Sequence, residues 1–305
     1  MTPEEAALHV ALRLQTETGD AEELTGGLLN YVYRVGTADG TVVVKHAAPH
    51  LRSEPRVRLD PSRAGFEADA LRWLQDVGAA ARTPRLLDQH NDTLILEDLG
   101  DAPDLGDYLQ GGGDPAILDE LASFVRWLHE QPGHDRVNEP VQATRLTVQY
   151  EAVVDWLEAA DVADAKALGS RAVALGRRLL ARGDCFVMGD LWPRSIRVRD
   201  GLELIDWELS TVGRRAQDLG HLAAHLWIGG HRGLWAEGLA ERFLGSYGPL
   251  SGPDAADVAD HMGCEILIRS IGSFRSGGAY EGVPDQHPQL REAVAMGAGL
   301  LRGGA

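Results

Sequence analysis

Apolar positions recur at helical spacing near the start of the chain, where Ala7, Val10, Ala11 and Leu14 share one face and predict a helix over residues 3–14. The period then shortens. Gly26 and Gly27 precede Tyr31-Val32-Tyr33-Arg34-Val35, which reads as a turn entering a strand, and Asp39-Gly40 turns the chain back into Thr41-Val42-Val43-Val44-Lys45. Helical spacing returns over residues 63–77, with Phe66, Ala70, Trp73, Leu74 and Val77 in the stripe and Glu67 at its edge. Two further strands are expected at 84–87 and 93–96, joined through Asn91-Asp92. Glu97-Asp98-Leu99-Gly100-Asp101-Ala102-Pro103 then breaks all periodicity, and a boundary is placed there between residues 1–97 and 98–305.

Beyond the boundary the pattern is helical. Ile117, Leu118, Leu121, Phe124, Val125 and Leu128 make a long amphipathic face, and further helices are expected at 147–160, 164–181, 217–227, 232–246, 254–274 and 288–301. One strand-like insertion interrupts them. Apolar runs at 185–188 and 202–205 lead to Asp190 and Asp206, with a third short strand at 196–198 and the turn dipeptide Asp200-Gly201 between them. A hairpin of this kind could face both carboxylates into one pocket, a device suited to metal-dependent phosphoryl transfer. The fold class is therefore α+β: a small β-rich N-terminal lobe with one prominent helix, then a larger and mostly helical C-terminal lobe.

Composition narrows the functional classes. The 305 residues carry 29 basic and 46 acidic groups, a net charge of −17, so a nucleic-acid backbone would be repelled and no nucleic-acid partner is expected. With 44% hydrophobic residues the chain can bury a sizeable core. No stretch is apolar enough to span a bilayer, and residues 1–20 lack the apolar core of a secretory signal, so no membrane association is expected. The two cysteines, Cys185 and Cys264, lie far apart and suggest neither a disulfide framework nor a zinc knuckle; a reducing cytoplasm is the expectation.

Lys45 closes a buried-looking valine run, where its charge is costly unless paired. It is either a snorkelling strand-end lysine or the partner of a carboxylate, and Glu67 is available for that pairing. A strand lysine held by a helix glutamate is the arrangement that grips nucleotide phosphates in kinases. Gly26-Gly27 serves either as plain turn chemistry or as backbone laid over a phosphate chain. If an adenine pairs with the strand that enters the linker, the Glu97 carbonyl and the Leu99 N–H are the candidates. His221 and His225 stand four apart on one helix, a spacing that could place both on a metal, but no third ligand lies at useful spacing and a packing role is preferred. No Walker lysine loop, Gly-x-Ser-x-Gly or His-Glu-x-x-His motif is present.

The order of these features resembles the aminoglycoside phosphotransferase and choline kinase-like superfamily, which shares the protein kinase fold. The resemblance spans about Leu24 to Trp227. It is most specific in Gly189-Asp190-Leu191-Trp192-Pro193 and in Ile205-Asp206-Trp207-Glu208, followed by Gly213 and Asp218-Leu219. Gly26-Gly27, Asn30 and Val32-Tyr33-Arg34-Val35 are similar to that family's nucleotide loop.

The resemblance implies ATP and Mg²⁺ as cofactors and a small-molecule hydroxyl as acceptor: an aminoglycoside, an amino alcohol or a sugar. Asp190 would be the catalytic aspartate that orients the acceptor hydroxyl, Asp206 the metal-holding aspartate, Lys45 the phosphate-binding lysine and Glu67 its partner. Asp218 would brace the catalytic loop. Two positions depart from the family pattern. Met188 stands where a histidine is usual, and Ser195 stands at the asparagine position of the second metal ligand. Ser195 can still offer a hydroxyl, as in methylthioribose kinases. Glu208 is either a compensating metal ligand or a surface or capping residue. Trp192 and Arg194 either line the acceptor pocket or pack within the loop. The departures also motivate an alternative function, a catalytically silent nucleotide-binding protein on the same fold. For the acceptor, Glu265, Arg269, Arg275 and Tyr280 are a mixed set that nominates no single substrate.

Overall fold

The computed structural model describes residues 1–25, 29–50, 52, 56, 58–276 and 278–303. The chain divides into two compact units, one of Met1–Ala102 with Glu203–Ser210 and one of Pro103–Leu202 with Thr211–Ala305. The first is built on a sheet and the second on helices, the α+β composition expected from the sequence.

In the first unit, helix α1 (Pro3–Leu14) opens with a capping box between Thr2 and Glu5. Strands β1 (Thr18–Glu23), β2 (Asn30–Thr37) and β3 (Gly40–Ala47) follow, then α2 (Arg63–Asp76), β4 (Leu86–His90) and β5 (Thr93–Glu97). The sheet is antiparallel in the order β1-β2-β3-β5-β4. β3 lies inside it, with Lys45 paired to Val32 of β2 and Leu94 of β5. Strand alternation sorts its side chains. Val42 and Val44 join Ala6 and Val10 of α1, Tyr33, Val35 and Ile95 in one buried cluster. Lys45, with the other parity, meets α2. That helix buries Phe66, Glu67, Ala70, Leu71 and Leu74, and each fully buried Leu contributes roughly 1.5–3 kcal/mol. Glu67 is 2% exposed, deeper than the stripe edge predicted for it.

β1 escapes the hydrophobic pattern because its sequence, Thr-Gly-Asp-Ala-Glu-Glu, is that of an exposed edge strand. Charges on an edge protect the sheet from further pairing, and they also erase the signal that marks a strand.

The second unit begins with α3 (Leu105–Gln110), α4 (Ile117–Glu130), α5 (Glu139–Arg145), α6 (Val153–Ala159) and α7 (Ala165–Arg178). The single helix expected at 147–160 is instead broken. A π-helical turn, Leu146–Tyr150, joins α5 towards α6 and buries Gln149 and Tyr150. Such a turn inserts a residue and rotates the following face, which a fixed helical period cannot show.

Strands β6 (Cys185–Val187), β7 (Ile196–Val198) and β8 (Leu202–Leu204) follow, then β9 (Thr211–Gly213), which pairs antiparallel with β6. Helices α8 (Arg215–His231), α9 (Leu239–Tyr247), α10 (Gly252–Ser270) and α11 (Pro288–Leu301) complete the unit. The helix predicted from residue 232 starts only at Leu239, because Gly233 and Gly238 take positive φ angles of 68° and 81° and stop helical continuation. α8 and α10 approach closely at Gly220, where a Cβ would stand 2.5 Å from the Cβ of His261. A core of Tyr150, Val153, Leu157, Leu168, Leu175, Leu267 and Leu301 unites α6, α7, α10 and α11. Among the described residues, no helix is long and apolar enough to cross a membrane.

Candidate active site

In the sheet unit a buried lysine gathers three carboxylates. Lys45 Nζ lies 2.8 Å from Glu67 Oε2, 2.8 Å from Asp206 Oδ1 and 3.7 Å from Glu208 Oε1. The Lys45 side chain is 5% exposed, so the snorkelling alternative does not apply. Burial disfavours its charge, but Asp206, Glu208 and Glu67 outweigh that cost and raise its pKa. Glu67 is pulled both ways: burial pushes its carboxyl up and Lys45 pulls it down, with burial prevailing.

Asp206 differs from its two neighbours in exposure, at 44% against 2% for Glu67 and 6% for Glu208. Its backbone is left-handed, with φ 67° and ψ 61°, a conformation that aspartate adopts more readily than most residues. The strand that would have carried Asp206 and Glu208 on one face ends at Leu204, and Trp207–Leu209 forms a 3₁₀ turn. Glu208 is therefore neither on a strand face nor at the surface. Its Oε2 accepts from Asn30 Nδ2 at 2.7 Å and from Arg63 Nε at 3.1 Å. Arg63, 2% exposed, also donates to the carbonyl of Leu29 and to Asn30 Oδ1. Trp207, fully buried, donates its N–H to Glu67 Oε1 at 3.3 Å.

Asn30 thus spends both ends of its amide inside this network. Gly26 and Gly27 lie outside the described residues. Glu97 ends β5 opposite Val42, with its N–H donating to Arg85 O at 2.9 Å. Leu99 is half-buried beyond it. The stretch around both is pinned by Asp98, which accepts from Arg34 Nε and Thr41 Oγ1 at 2.7 Å each and from the Gly100 N–H at 2.8 Å.

In the helical unit, Asp190 follows β6 on a tightly held loop. Gly189 has φ 84°, a region that favours glycine, and its N–H donates to Asp218 Oδ1 at 2.8 Å. The Met188 N–H donates to Asp218 Oδ2 at the same distance, so Asp218 braces the loop as expected. Met188 is fully buried. His129 of α4 stands 3.3 Å behind Asp218 through Nε2, and Arg145 donates to the Gly189 carbonyl. Ser195 is fully buried: its hydroxyl lies 2.9 Å from Trp192 O and 3.1 Å from Asp190 O, and accepts from the Trp192 N–H at 3.2 Å. The hydroxyl is engaged in closing its own loop.

A family model described as "Phosphotransferase enzyme family" matches residues 20–256. The chain belongs to this family. Among curated proteins, a 4-hydroxytryptamine kinase of Psilocybe cyanescens is 23% identical over 247 residues, covering 69% of this chain and 68% of that one. Among solved structures, a choline/ethanolamine kinase family protein from Mesorhizobium loti aligns over 100% of both chains, at a TM-score of 0.62 and 15% identity. A spectinomycin phosphotransferase solved with ADP and spectinomycin aligns over 98% of both, at 0.60 and 13%. The choline kinase LicA of Streptococcus pneumoniae does so over 98% of both, at 0.57 and 17%. These neighbours share the protein kinase-like fold.

Within the family frame, one cluster goes beyond what the sequence suggested. His221 and His225 of α8 are joined by Glu265 of α10, the third group that spacing along the chain could not supply. Glu265 Oε1 is 3.4 Å from His225 Nε2 and accepts from Arg269 Nε at 2.6 Å. Burial lowers the pKa of both histidines. Burial opposes the charge of Glu265, yet His221 and Arg269 hold its pKa well below the usual value. Trp192 lies beside this cluster, its ring 5.5 Å from that of His225 and faced by Arg194 and Arg269 at 5.6 and 5.4 Å. Arg275 and Tyr280, by contrast, brace their own loop: Arg275 donates to the carbonyls of Tyr280 and Val283 and to Asp285. Arg63, His129 and Arg145 were not anticipated. Their signal is a charged or polar residue at the buried face of a helix, visible only once the helix phase is known.

Proposed function

We propose that this chain is an ATP-dependent small-molecule kinase that moves the γ-phosphoryl group to an acceptor hydroxyl. The observation that carries the reading is the buried Lys45, bound by Glu67 and by the half-exposed Asp206 at 2.8 Å each. A buried lysine fixed by a helix glutamate suits the grip on the non-transferred phosphates. The Glu97 carbonyl and Leu99 N–H are the groups proposed to meet the adenine.

The residues fit Mg²⁺. Around Lys45 and Arg63 stand three carboxylates, Glu67, Asp206 and Glu208, so the donors are hard oxygens and the formal charge leaves room for a cation. Asp206 is the proposed ligand, because its carboxylate reaches solvent. Glu208 and Ser195 are read instead as braces, since their oxygens are engaged within the protein. Held there, the ion would supply positive charge to offset the negative charge that develops in the transfer.

Asp190 orients the acceptor hydroxyl and takes its proton, so catalysis rests on positioning more than on covalent chemistry. Acceptor candidates are amino alcohols, aminoglycosides, sugars and hydroxylated aromatic amines, the last prompted by the curated relative. The test is an ATP-consumption screen with Mg²⁺ over those classes. Turnover of one of them, lowered at least about a hundredfold by Asp190→Asn, supports the reading. Metal-independent nucleotide binding with no turnover of any class would instead favour a silent nucleotide-binding protein.

A further inference from the structure

His221 is enclosed by carboxylates on both sides. Its Nε2 lies 3.4 Å from Asp190 Oδ1 and its Nδ1 lies 3.5 Å from Glu265 Oε2. The side chain is only 3% exposed, and among the described residues Nε2 has no hydrogen-bond partner. An unpartnered buried nitrogen costs about 1–3 kcal/mol, and such an atom beside a catalytic carboxylate calls for a functional explanation. The charged and titratable groups facing His221 are Asp190 from the loop after β6, His225 from its own helix, Glu265 and Arg269 from α10, and Arg145 from α5.

These neighbours select one tautomer. Arg269 Nε donates to Glu265 Oε1 at 2.6 Å, which keeps that carboxylate ionised and a proton acceptor only. Two carboxylates face the neutral ring, and its single N–H serves the more deeply buried one, Glu265 at 4% exposed against 26% for Asp190, which water can solvate; the N–H therefore sits on Nδ1. The lone pair of Nε2 is then turned towards Asp190. That geometry does little for an ionised Asp190, since two acceptors face each other. It favours the carboxylic acid, whose O–H can donate to Nε2. Asp190 takes this form when it accepts the hydroxyl proton.

We propose that His221, oriented by Glu265, is a positioning residue that accepts a hydrogen bond from Asp190 in its protonated form and so strengthens Asp190 as the proton acceptor of the transfer. The inference rests on the kinase reading above. As an acceptor oxygen lone pair forms the new P–O bond, the bond from the γ-phosphorus to the bridging oxygen breaks with its electron pair leaving on ADP, and the acceptor hydroxyl proton goes to Asp190. The Asp190 O–H then donates to His221 Nε2 without further transfer, and the proton leaves to solvent from Asp190, which is 26% exposed. The 3.4 Å separation shortens as this hydrogen bond forms, in keeping with the long catalytic contacts common in unliganded enzymes. A metal ion on His221, His225 and Glu265 is the less favoured occupant, because the Arg269 guanidinium already sits on the carboxylate oxygen nearest His225.

The test joins a spectroscopic readout to kinetics. In the ¹⁵N-labelled full-length protein, without substrate, the His221 imidazole shifts should report the Nδ1–H tautomer, and Glu265→Gln should reduce its population. With an acceptor that the wild type turns over, His221→Leu and Glu265→Gln should each lower kcat about tenfold and leave KM for ATP within about twofold. An Nε2–H tautomer in the wild type would overturn the proposal, as would an unchanged kcat in both variants. So would a stoichiometric transition metal that co-purifies with the wild type and is lost in His225→Ala. If no acceptor is turned over, the kinase reading fails on its own account, and the tautomer still decides whether Glu265 orients His221 as argued.

Discussion

At Lys45 stability and activity rest on the same atoms, and substitution can separate them. Lys45 and Glu67 are both buried, so Lys45→Met strands the Glu67 carboxylate and takes one cation from Glu208, which keeps Arg63 beside it. Removing one member of a buried ion pair costs about 3–5 kcal/mol, and urea denaturation of the variant should show a loss of that order. Asp206→Asn should behave differently. Its carboxylate is 44% exposed and screened by water, and Glu67 and Glu208 stay on the buried Lys45 ammonium, so the fold should lose less than in Lys45→Met. Turnover should still fall at least about a hundredfold, because the proposed metal ligand is gone. A variant at Asp206 that unfolds as readily as Lys45→Met would show that Asp206 is a structural member of the network and not its functional edge.

At the scale of elements, the close contact of α8 with α10 sets the spacing of His221 and Glu265. Gly220 immediately precedes His221, and a methyl group there would stand 2.5 Å from His261 Cβ and 2.8 Å from the carbonyl of Val258. Backbone cannot yield as a flexible side chain does, so Gly220→Ala should force the helices apart and cost about 1–3 kcal/mol. The midpoint of chemical denaturation checks that cost, and turnover should fall with it because Glu265 moves from His221. What the sequence discloses about such elements follows from what each one buries. The starts of α1 and α11 are legible because proline and an apolar stripe mark them, and β3 because a run of three valines follows a turn dipeptide. Lys45 and Glu67 were paired from the sequence because a charge closing a valine run demands a partner. The third group beside His221 and His225 is not legible, since Glu265 lies on another helix and proximity across a helix interface leaves no mark in spacing. The π turn Leu146–Tyr150 and the charged edge strand β1 were hidden for the opposite reason, because each breaks the periodic rule by which elements are read.

The whole molecule carries two opposing responses to acid. Its net charge is −17 at pH 7 with an isoelectric point near 5.0, so lowering the pH relieves self-repulsion and favours the folded state. The buried histidines act the other way. Burial, aided by Arg145 and Arg178, pushes His261 down to about 3, while its Nδ1 pairs with the Tyr150 hydroxyl at 3.0 Å. Burial also lowers His221. A histidine whose folded pKa is depressed binds its proton more readily when unfolded. The stability it contributes is complete above the unfolded value near 6.5 and is lost as pH falls from there towards the folded value. For His261 the window runs from about 6.5 down to about 3, with a slope of about 1.4 kcal/mol per pH unit. Salt separates the two responses, because surface repulsion is screened beyond about 8 Å at physiological ionic strength while buried groups are screened much less. In high salt the unfolding free energy should therefore climb steadily between pH 4 and 6.5, and His261→Gln should remove about 1.4 kcal/mol per unit from that climb. A slope in high salt that His261→Gln leaves unchanged would mean that the ring is already charged in the folded protein, which would contradict the burial that the α8–α10 contact imposes on it.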